Sequence, residues 1–271
     1  VVIGSFDFPE SDLLAQLYGQ AFAANGFTVT YARDVGPREV VEPALWQGMI
    51  GFVPEYSGSA LNYLEPEPAA TSDVQETMDR LRVALQAHGL VPLSPAPAQD
   101  QNAVAVTRDT ARTYGLRRIS DLTRVAAQFR FGGLPECPQR PLCLGGLATT
   151  YGLSFAQFVP FPGTDVVATA LQLGRIEVGT VFSSDAALAR TGLVVLQDDR
   201  GLQPAEHIVP VVGTGVLESL GSRGMRLTAL ADRVSERLTT VALRSLNMEV
   251  SGGRSAVDVA AEWLREQGLV A

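Results

Sequence analysis

Any covalent or acid–base chemistry in this chain would have to be built from a short set of side chains. They are two histidines, His88 and His207, two cysteines, Cys137 and Cys143, and cations that are all arginine. No lysine occurs, which excludes Schiff-base and P-loop lysine chemistry. A hydrolytic triad would have to recruit one of the two histidines. His88 closes an amphipathic segment, where a cation at a helix C-terminus is favourable in its own right. His207 enters an apolar strand beside Glu206, the place of a polar lining residue rather than of a general base. The chain has no G-x-S-x-G elbow, no G-x-G-x-x-G after a strand, no P-loop and no H-E-x-x-H. Without a competent nucleophile–base pair, no catalysis is expected and no cofactor. No metal is expected either: the cysteine spacing fits no zinc site, and Glu65 and Glu67 fit no calcium loop. The cysteines lie in GGLPECPQRPLCLGG, a turn-rich stretch in which a pair this close can close a small disulfide, implying an oxidising compartment. The alternative is two reduced thiols, one or both buried in a cytosolic protein.

The elements that must position these residues alternate. VVIGS reads as a buried strand, followed by a helix through Leu13, Leu17, Ala21 and Ala24 that Gly26 stops. FTVTYA is a strand, PREVVEPALWQG a helix and IGFVP a strand ending at Glu55-Tyr56. A helix with a capping box of Ser72 and Gln75 carries the stripe Val74, Met78, Leu81, Leu85. After a proline-punctuated stretch over 91–101 the rhythm restarts with NAVAVT, a helix capped by Ser120, and QFRFGG. Later strands are expected at IEVGTVF, GLVVLQDDRG and HIVPVVG, and helices at 164–174, 227–247 and 256–267. This alternation implies an α/β fold with mostly parallel sheets, in which ligands bind at strand carboxyl ends. At 271 residues, the chain is one large domain or two of ordinary size. Its 21 basic side chains face 29 acidic ones, a net charge of −8 that lacks the footprint of a nucleic-acid binder. No apolar run approaches the roughly 18 residues of a membrane span. Because the chain opens on Val1 inside a strand, a removed leader is expected. Trp46 and Trp263 are expected to pack on helices, and Tyr114 and Tyr151, each before a glycine, to mark helix ends.

Seven blocks taken in order carry a resemblance over essentially the whole chain. They are IGSFDFPES, GPREVVEPALWQGMIGFVPEYSGSAL, TARTYGLRRISDL, GGLPECPQRPLCLGGLATTYGLSF, VFSSDAALARTGLVVLQDD, QPAEHIVPVV and LTTVALRSLNMEV. Together they resemble the substrate-binding proteins of ABC importers for glycine betaine, choline and related osmoprotectants, most closely an arginine-rich, actinobacterial-type branch. The resemblance implies a two-lobed α/β fold of the type II periplasmic-binding-protein class, with two crossing hinge strands and a ligand cleft. The crossings would fall near Asn102–Val106 and Glu206–Pro210, so that 1–102 plus 208–271 form one lobe and 103–207 the other. It implies an extracytoplasmic, lipid-anchored monomer that closes on a small polar or zwitterionic solute and hands it to permease subunits. A different hydroxylated or N–H-bearing solute, or a sensor role on the same fold, stands as the alternative.

Residue by residue, Tyr56 matches a tyrosine of the family's aromatic cage, and Asp100 a position whose backbone carbonyl faces the cation. Ser59 matches a hydroxyl near the ligand carboxylate, and Arg140 the arginine whose fork binds that carboxylate. Phe6 stands where the family has a carboxylate-binding lysine; Asn102 and Glu206 stand where it has cage tyrosines. Phe182 would fill a remaining cage position, and Asp7, Gln101 and Ser184 complete the expected ligand-binding set. Glu206 would meet a cationic or hydroxyl group, pair with Arg140, or lie solvated at the rim.

Overall fold

The computed structural model describes residues 1–65 and 69–270; Glu67 of the expected acidic loop lies outside them. The chain opens with β1 (Val2–Gly4), α1 (Pro9–Ala24), β2 (Thr30–Ala32), α2 (Arg38–Trp46), β3 (Phe52–Tyr56), α3 (Ser57–Leu64), α4 (Val74–Gln86) and β4 (Leu90–Pro92). There follow β5 (Asn102–Val106), α5 (Arg108–Tyr114), β6 (Arg130–Gly133), α6 (Leu144–Tyr151), β7 (Gln157–Pro160), α7 (Thr164–Gln172), β8 (Val178–Phe182), α8 (Ala186–Thr191) and β9 (Val194–Val195). The chain ends with β10 (Ile208–Gly213), α9 (Thr214–Leu220), α10 (Ser222–Arg237), α11 (Thr240–Ser251) and α12 (Ala256–Glu266). Two compact units result: unit 1 is Val1–Gln99 with Ala205–Ala271, and unit 2 is Asp100–Pro204. The chain therefore passes between them after Gln99 and after Pro204, where the sequence reading had placed the junctions after Asn102 and His207. Backbone bonding accounts for the difference. Gln99 bridges His207 within unit 1, while Gln101 already exchanges hydrogen bonds with Ser183 of unit 2.

In unit 1 a five-stranded sheet runs β2-β1-β3-β10-β4. β1 is parallel to β2 and β3, whereas β10 is antiparallel to both of its neighbours. Unit 2 repeats the plan as β7-β6-β8-β5-β9, with β5 antiparallel to β8 and β9. Each sheet is thus mixed, and the antiparallel member is the first strand the chain forms after entering that unit (β5) or returning to it (β10). Residue alternation decides the faces of β5. Ala103 and Ala105 join Val167, Ala170 and Leu171 on one side. Val104 and Val106 join Leu122, Phe131 and Val178 on the other. A strand buried on both faces reads as an unbroken apolar run, as the AVAV of residues 103–106 does. Unit 1 has its own core, in which Leu13, Leu17 and Phe22 of α1 meet Phe52 of β3 and Leu264 of α12.

Two local expectations are corrected. The segment after Ser120 is not an α-helix but two 3-10 turns, Ile119–Arg124 and Ala126–Gln128. The Ser120 hydroxyl donates to Asp199 instead of capping, and Asp121 accepts the backbone N–H groups of Arg117 and Arg118. At α4 the cap is Asp73, which accepts from the Glu76 N–H at 2.9 Å, not Ser72. Helix ends at Gly115 and Gly152 adopt the left-handed conformation that the preceding Tyr114 and Tyr151 were expected to mark.

Candidate functional site

The expected ligand-binding residues fall into two groups, one in each unit. Unit 1 holds Phe6, Asp7, Tyr56, Ser59 and Glu206; unit 2 holds Asp100, Gln101, Asn102, Arg140, Phe182 and Ser184.

In unit 1 the loop after β1 turns into α1 at Phe8-Pro9, where Pro9 suits the first helical turn. Ser11 fixes this loop by accepting the Phe6 N–H at 2.9 Å. Phe6 and Phe8 stack with centroids 5.8 Å apart and planes 4° apart. Tyr56, at the end of β3, completes a ring trio at 6.5 Å from Phe6 and 6.0 Å from Phe8. Phe6 and Tyr56 are buried, whereas Phe8 is 38% exposed and Asp7 lies exposed beside it. The Tyr56 hydroxyl donates to Glu10 at 2.7 Å, and Asn247 donates to the other Glu10 oxygen. Arg38 stands 5.2 Å over the Phe6 ring and forks onto Glu55 through Nε and Nη2 at 3.1 and 3.0 Å. Glu55 also accepts the Tyr56 N–H at 2.8 Å. Behind Glu55, Glu42 is fully buried and accepts the Trp46 indole N–H at 3.0 Å. Burial, then the neighbouring Glu55 charge, pushes the Glu42 pKa up to about 9.

Glu206 sits over the first turn of α3. Its oxygens accept the Ser59 N–H at 3.0 Å and the Ser59 hydroxyl at 2.7 Å. Gly58 permits this approach, because a Cβ there would stand 2.7 Å from the Ala205 carbonyl oxygen and 3.1 Å from the Glu206 carboxyl carbon. Glu206 is 8% exposed, so it is not a solvated rim charge. Burial pushes its pKa up, and the hydrogen bonds from Ser59 pull against that shift.

In unit 2 the β5–β8 register makes Asn102 and Phe182 direct partners. Both line a cavity of about 360 Å³ together with Arg140, Thr164, Thr180 and the cysteine loop. Cys137 and Cys143 form a disulfide. Arg140 is exposed, and among the described residues its guanidinium makes no ion pair. Asn102 donates to Gln203 at 3.4 Å, and Gln203 donates to the Leu142 carbonyl at 2.9 Å, tying the cavity wall to the disulfide loop. Asp100 accepts the Ser184 hydroxyl at 2.6 Å, and Gln101 is held by its backbone to Ser183.

Neither histidine is set for proton transfer. His88 stacks on Trp46 at 4.1 Å. His207 donates Nδ1–H to the Ala96 carbonyl at 2.6 Å, and burial lowers its pKa. No group of three His, Cys, Asp or Glu among the described residues is placed to hold a metal ion. Sequence reasoning missed Phe8, Glu10, Arg38, Glu55 and Asn247. For Phe8 the signal was present, as the F-x-F spacing of FDFPES.

The arrangement offers aromatic faces beside buried carboxylates in unit 1, and an unspent arginine with an amide and a ring in unit 2. Groups of this chemistry suit a small charged solute. Comparison with known proteins agrees. A family model described as the substrate binding domain of the ABC-type glycine betaine transport system matches residues 1–266. The glycine betaine-binding protein YehZ of Escherichia coli is 27% identical over 99% of this chain and 90% of its own. A glycine-betaine-binding protein of Pseudomonas aeruginosa is 29% identical over 99% of this chain and 88% of its own. A solved glycine betaine/carnitine/choline ABC transporter structure, 22% identical and covered to 99% on both sides, superposes with a TM-score of 0.91 and so shares the fold. That fold is the type II periplasmic-binding-protein class.

Proposed function

This chain belongs to the family of substrate-binding domains of ABC-type glycine betaine transport systems, and we propose that it captures a quaternary-amine osmoprotectant for delivery to an importer. The family is one of extracytoplasmic transport receptors, not of enzymes. The observation that carries the ligand class is the ring trio Phe6–Phe8–Tyr56. A cation without N–H donors can be held only by ring faces and dipoles, and three rings around one another supply them. Arg140 and Asn102, on the wall of the unit 2 cavity, would receive an oxygen-bearing end of the solute.

The receptor closes its two units on the solute, acts as a monomer and is held to the membrane by a lipid anchor. No helix among the described residues is long and apolar enough to cross a membrane. The disulfide supports an oxidising, extracytoplasmic location. Calorimetric titration of ligand-stripped protein with glycine betaine and choline tests the solute class, and small-angle scattering tests closure. Micromolar binding with a fall in radius of gyration is the expected result. No heat and no compaction with either compound would overturn the reading. A solute with its own N–H or O–H donors is the second reading, favoured by Asn102 on the cavity wall where a ring would serve a quaternary ammonium better.

A further inference from the structure

Donors from Arg38, Tyr56 and Ser59, beside the ring trio, are turned toward the chain's own carboxylates. Arg38 gives Nε and Nη2 to Glu55. Tyr56 gives its N–H to Glu55 and its hydroxyl to Glu10. Ser59, in the first turn after Tyr56, gives both its N–H and its hydroxyl hydrogen to Glu206. A serine hydroxyl has one hydrogen, so with Glu206 in place Ser59 can only accept from a ligand. All three glutamates are buried, Glu55 completely. The first turn of α3, where backbone N–H groups and the helix dipole favour an anion, is therefore already filled by an anion of the protein.

We propose that Glu206 is a specificity-determining residue, whose carboxylate fills the Ser59 cradle and so bars a ligand carboxylate from it while leaving the neighbouring rings to a cationic head group. This rests on the osmoprotectant reading above. A carboxylate entering the Ser59 cradle would lose its water, meet donors already given to Glu206 and face a resident like charge. A quaternary ammonium needs no acceptor in line; it gains from the ring faces and from the surrounding negative charge. Phe8, the exposed ring of the trio, is the face open to it.

Choline and glycine betaine make a matched pair of probes, since they share the trimethylammonium head and differ in carrying a hydroxymethyl or a carboxylate. Loss of the Glu206 charge weakens attraction for both heads alike, so the ratio of their dissociation constants isolates the effect on the carboxylate. The experiment is calorimetric titration of the full chain, Glu206→Ala and Glu206→Gln with both compounds, alongside thermal melts. In both variants the betaine-to-choline ratio of Kd is expected to fall at least tenfold, because the cradle opens or loses its charge. Should Glu206→Ala fail to fold, Glu206→Gln decides, since it keeps the side chain's shape. An unchanged or rising ratio in a folded variant that still binds choline overturns the role of Glu206 and leaves the osmoprotectant reading standing. Absence of binding of either compound to all three proteins overturns that reading, and the role of Glu206 with it.

Discussion

Tyr56 is held from both ends, its ring against Phe6 and Phe8 and its hydroxyl on Glu10. The two attachments predict separable effects. Tyr56→Ala takes a ring out of the trio and is expected to weaken a quaternary-ammonium ligand by about 1–2 kcal/mol, read by calorimetry; retained affinity would remove the trio from the site. Tyr56→Phe keeps the ring and the affinity, but leaves Glu10 short of a donor, at a cost of about 1–3 kcal/mol in folding stability. Arg140 is the opposite case, exposed and making no ion pair among the described residues. Arg140→Ala should leave the melting temperature unchanged and weaken a carboxylate-bearing ligand by about 2 kcal/mol or more once binding desolvates the pair; equal affinities would place the carboxylate elsewhere. Glu42 predicts a pH dependence. Its pKa rises from 4.5 in the unfolded chain to about 9 in the fold. The folded state binds this proton more tightly, so the contribution to stability is full below the unfolded value and is lost as pH rises through the folded one. Glu42→Gln is expected to flatten the decline in melting temperature between about pH 5 and 9; an unaltered slope would show that another group carries it. Tyr56, Phe6 and Glu206 were named through the family resemblance, and the structure places all three in unit 1. Arg38 and Asn247 were not legible, because each reaches its carboxylate partner from a distant segment with no local pattern to announce it.

At the scale of elements, what the sequence showed depended on whether a segment's structure is decided locally. The stripe Val74, Met78, Leu81, Leu85 and the stops at Gly26 and Gly48 are local signals, and α4, α1 and α2 follow them. Of the stripe expected to pack in the core, however, Val74 at the helix start is exposed, and Thr77 is buried instead. The stretch around Ser120 also shows helical spacing, yet its β-branched residues Ile119, Thr123 and Val125 make a weak helix. Bonds to Gln197 and Asp199 then hold it as 3-10 turns. The short helix α3 escaped notice, and of α6 only the end at Tyr151 was anticipated, because glycines interrupt their apolar faces. In α6 that choice is forced: a Cβ on Gly146 would stand 2.2 Å from the Pro141 carbonyl oxygen and 2.5 Å from Leu202. Gly146→Ala must therefore push α6 away from the disulfide loop that walls the unit 2 cavity. A loss of about 1–3 kcal/mol is expected from overpacking, together with weaker solute binding, checked by denaturant titration and calorimetry on the same preparation. Normal stability and affinity would mean that the loop yields freely and does not shape the cavity.

For the whole molecule, the two-unit organisation could be anticipated from the break in rhythm at the prolines of 91–101 and from the restart at NAVAVT. The mixed sheets could not, because strand direction is set by which unit the chain has just entered rather than by any residue in the strand. The division has a consequence for folding. Unit 1 is assembled from two segments more than a hundred residues apart in the chain, so its sheet cannot close until β10 inserts between β3 and β4. Unit 2 is one continuous segment with its own sheet, its own buried clusters on both faces and an internal disulfide. Its ends meet within it, since Asn102 near the start bonds Gln203 near the finish. A segment with a complete core and adjoining ends satisfies the physical definition of a domain. We therefore expect residues 100–204, expressed alone with the disulfide intact, to unfold cooperatively in denaturant and to show near-ultraviolet circular dichroism from packed aromatics such as Phe131, Phe155 and Tyr151. Reduction of the disulfide in that fragment should cost roughly 2 kcal/mol, the chain-entropy value for so short a loop. A fragment with helical signal but no cooperative transition would mean that unit 2 depends on unit 1 for its fold, and that the two passages of the chain transmit stability as well as connect.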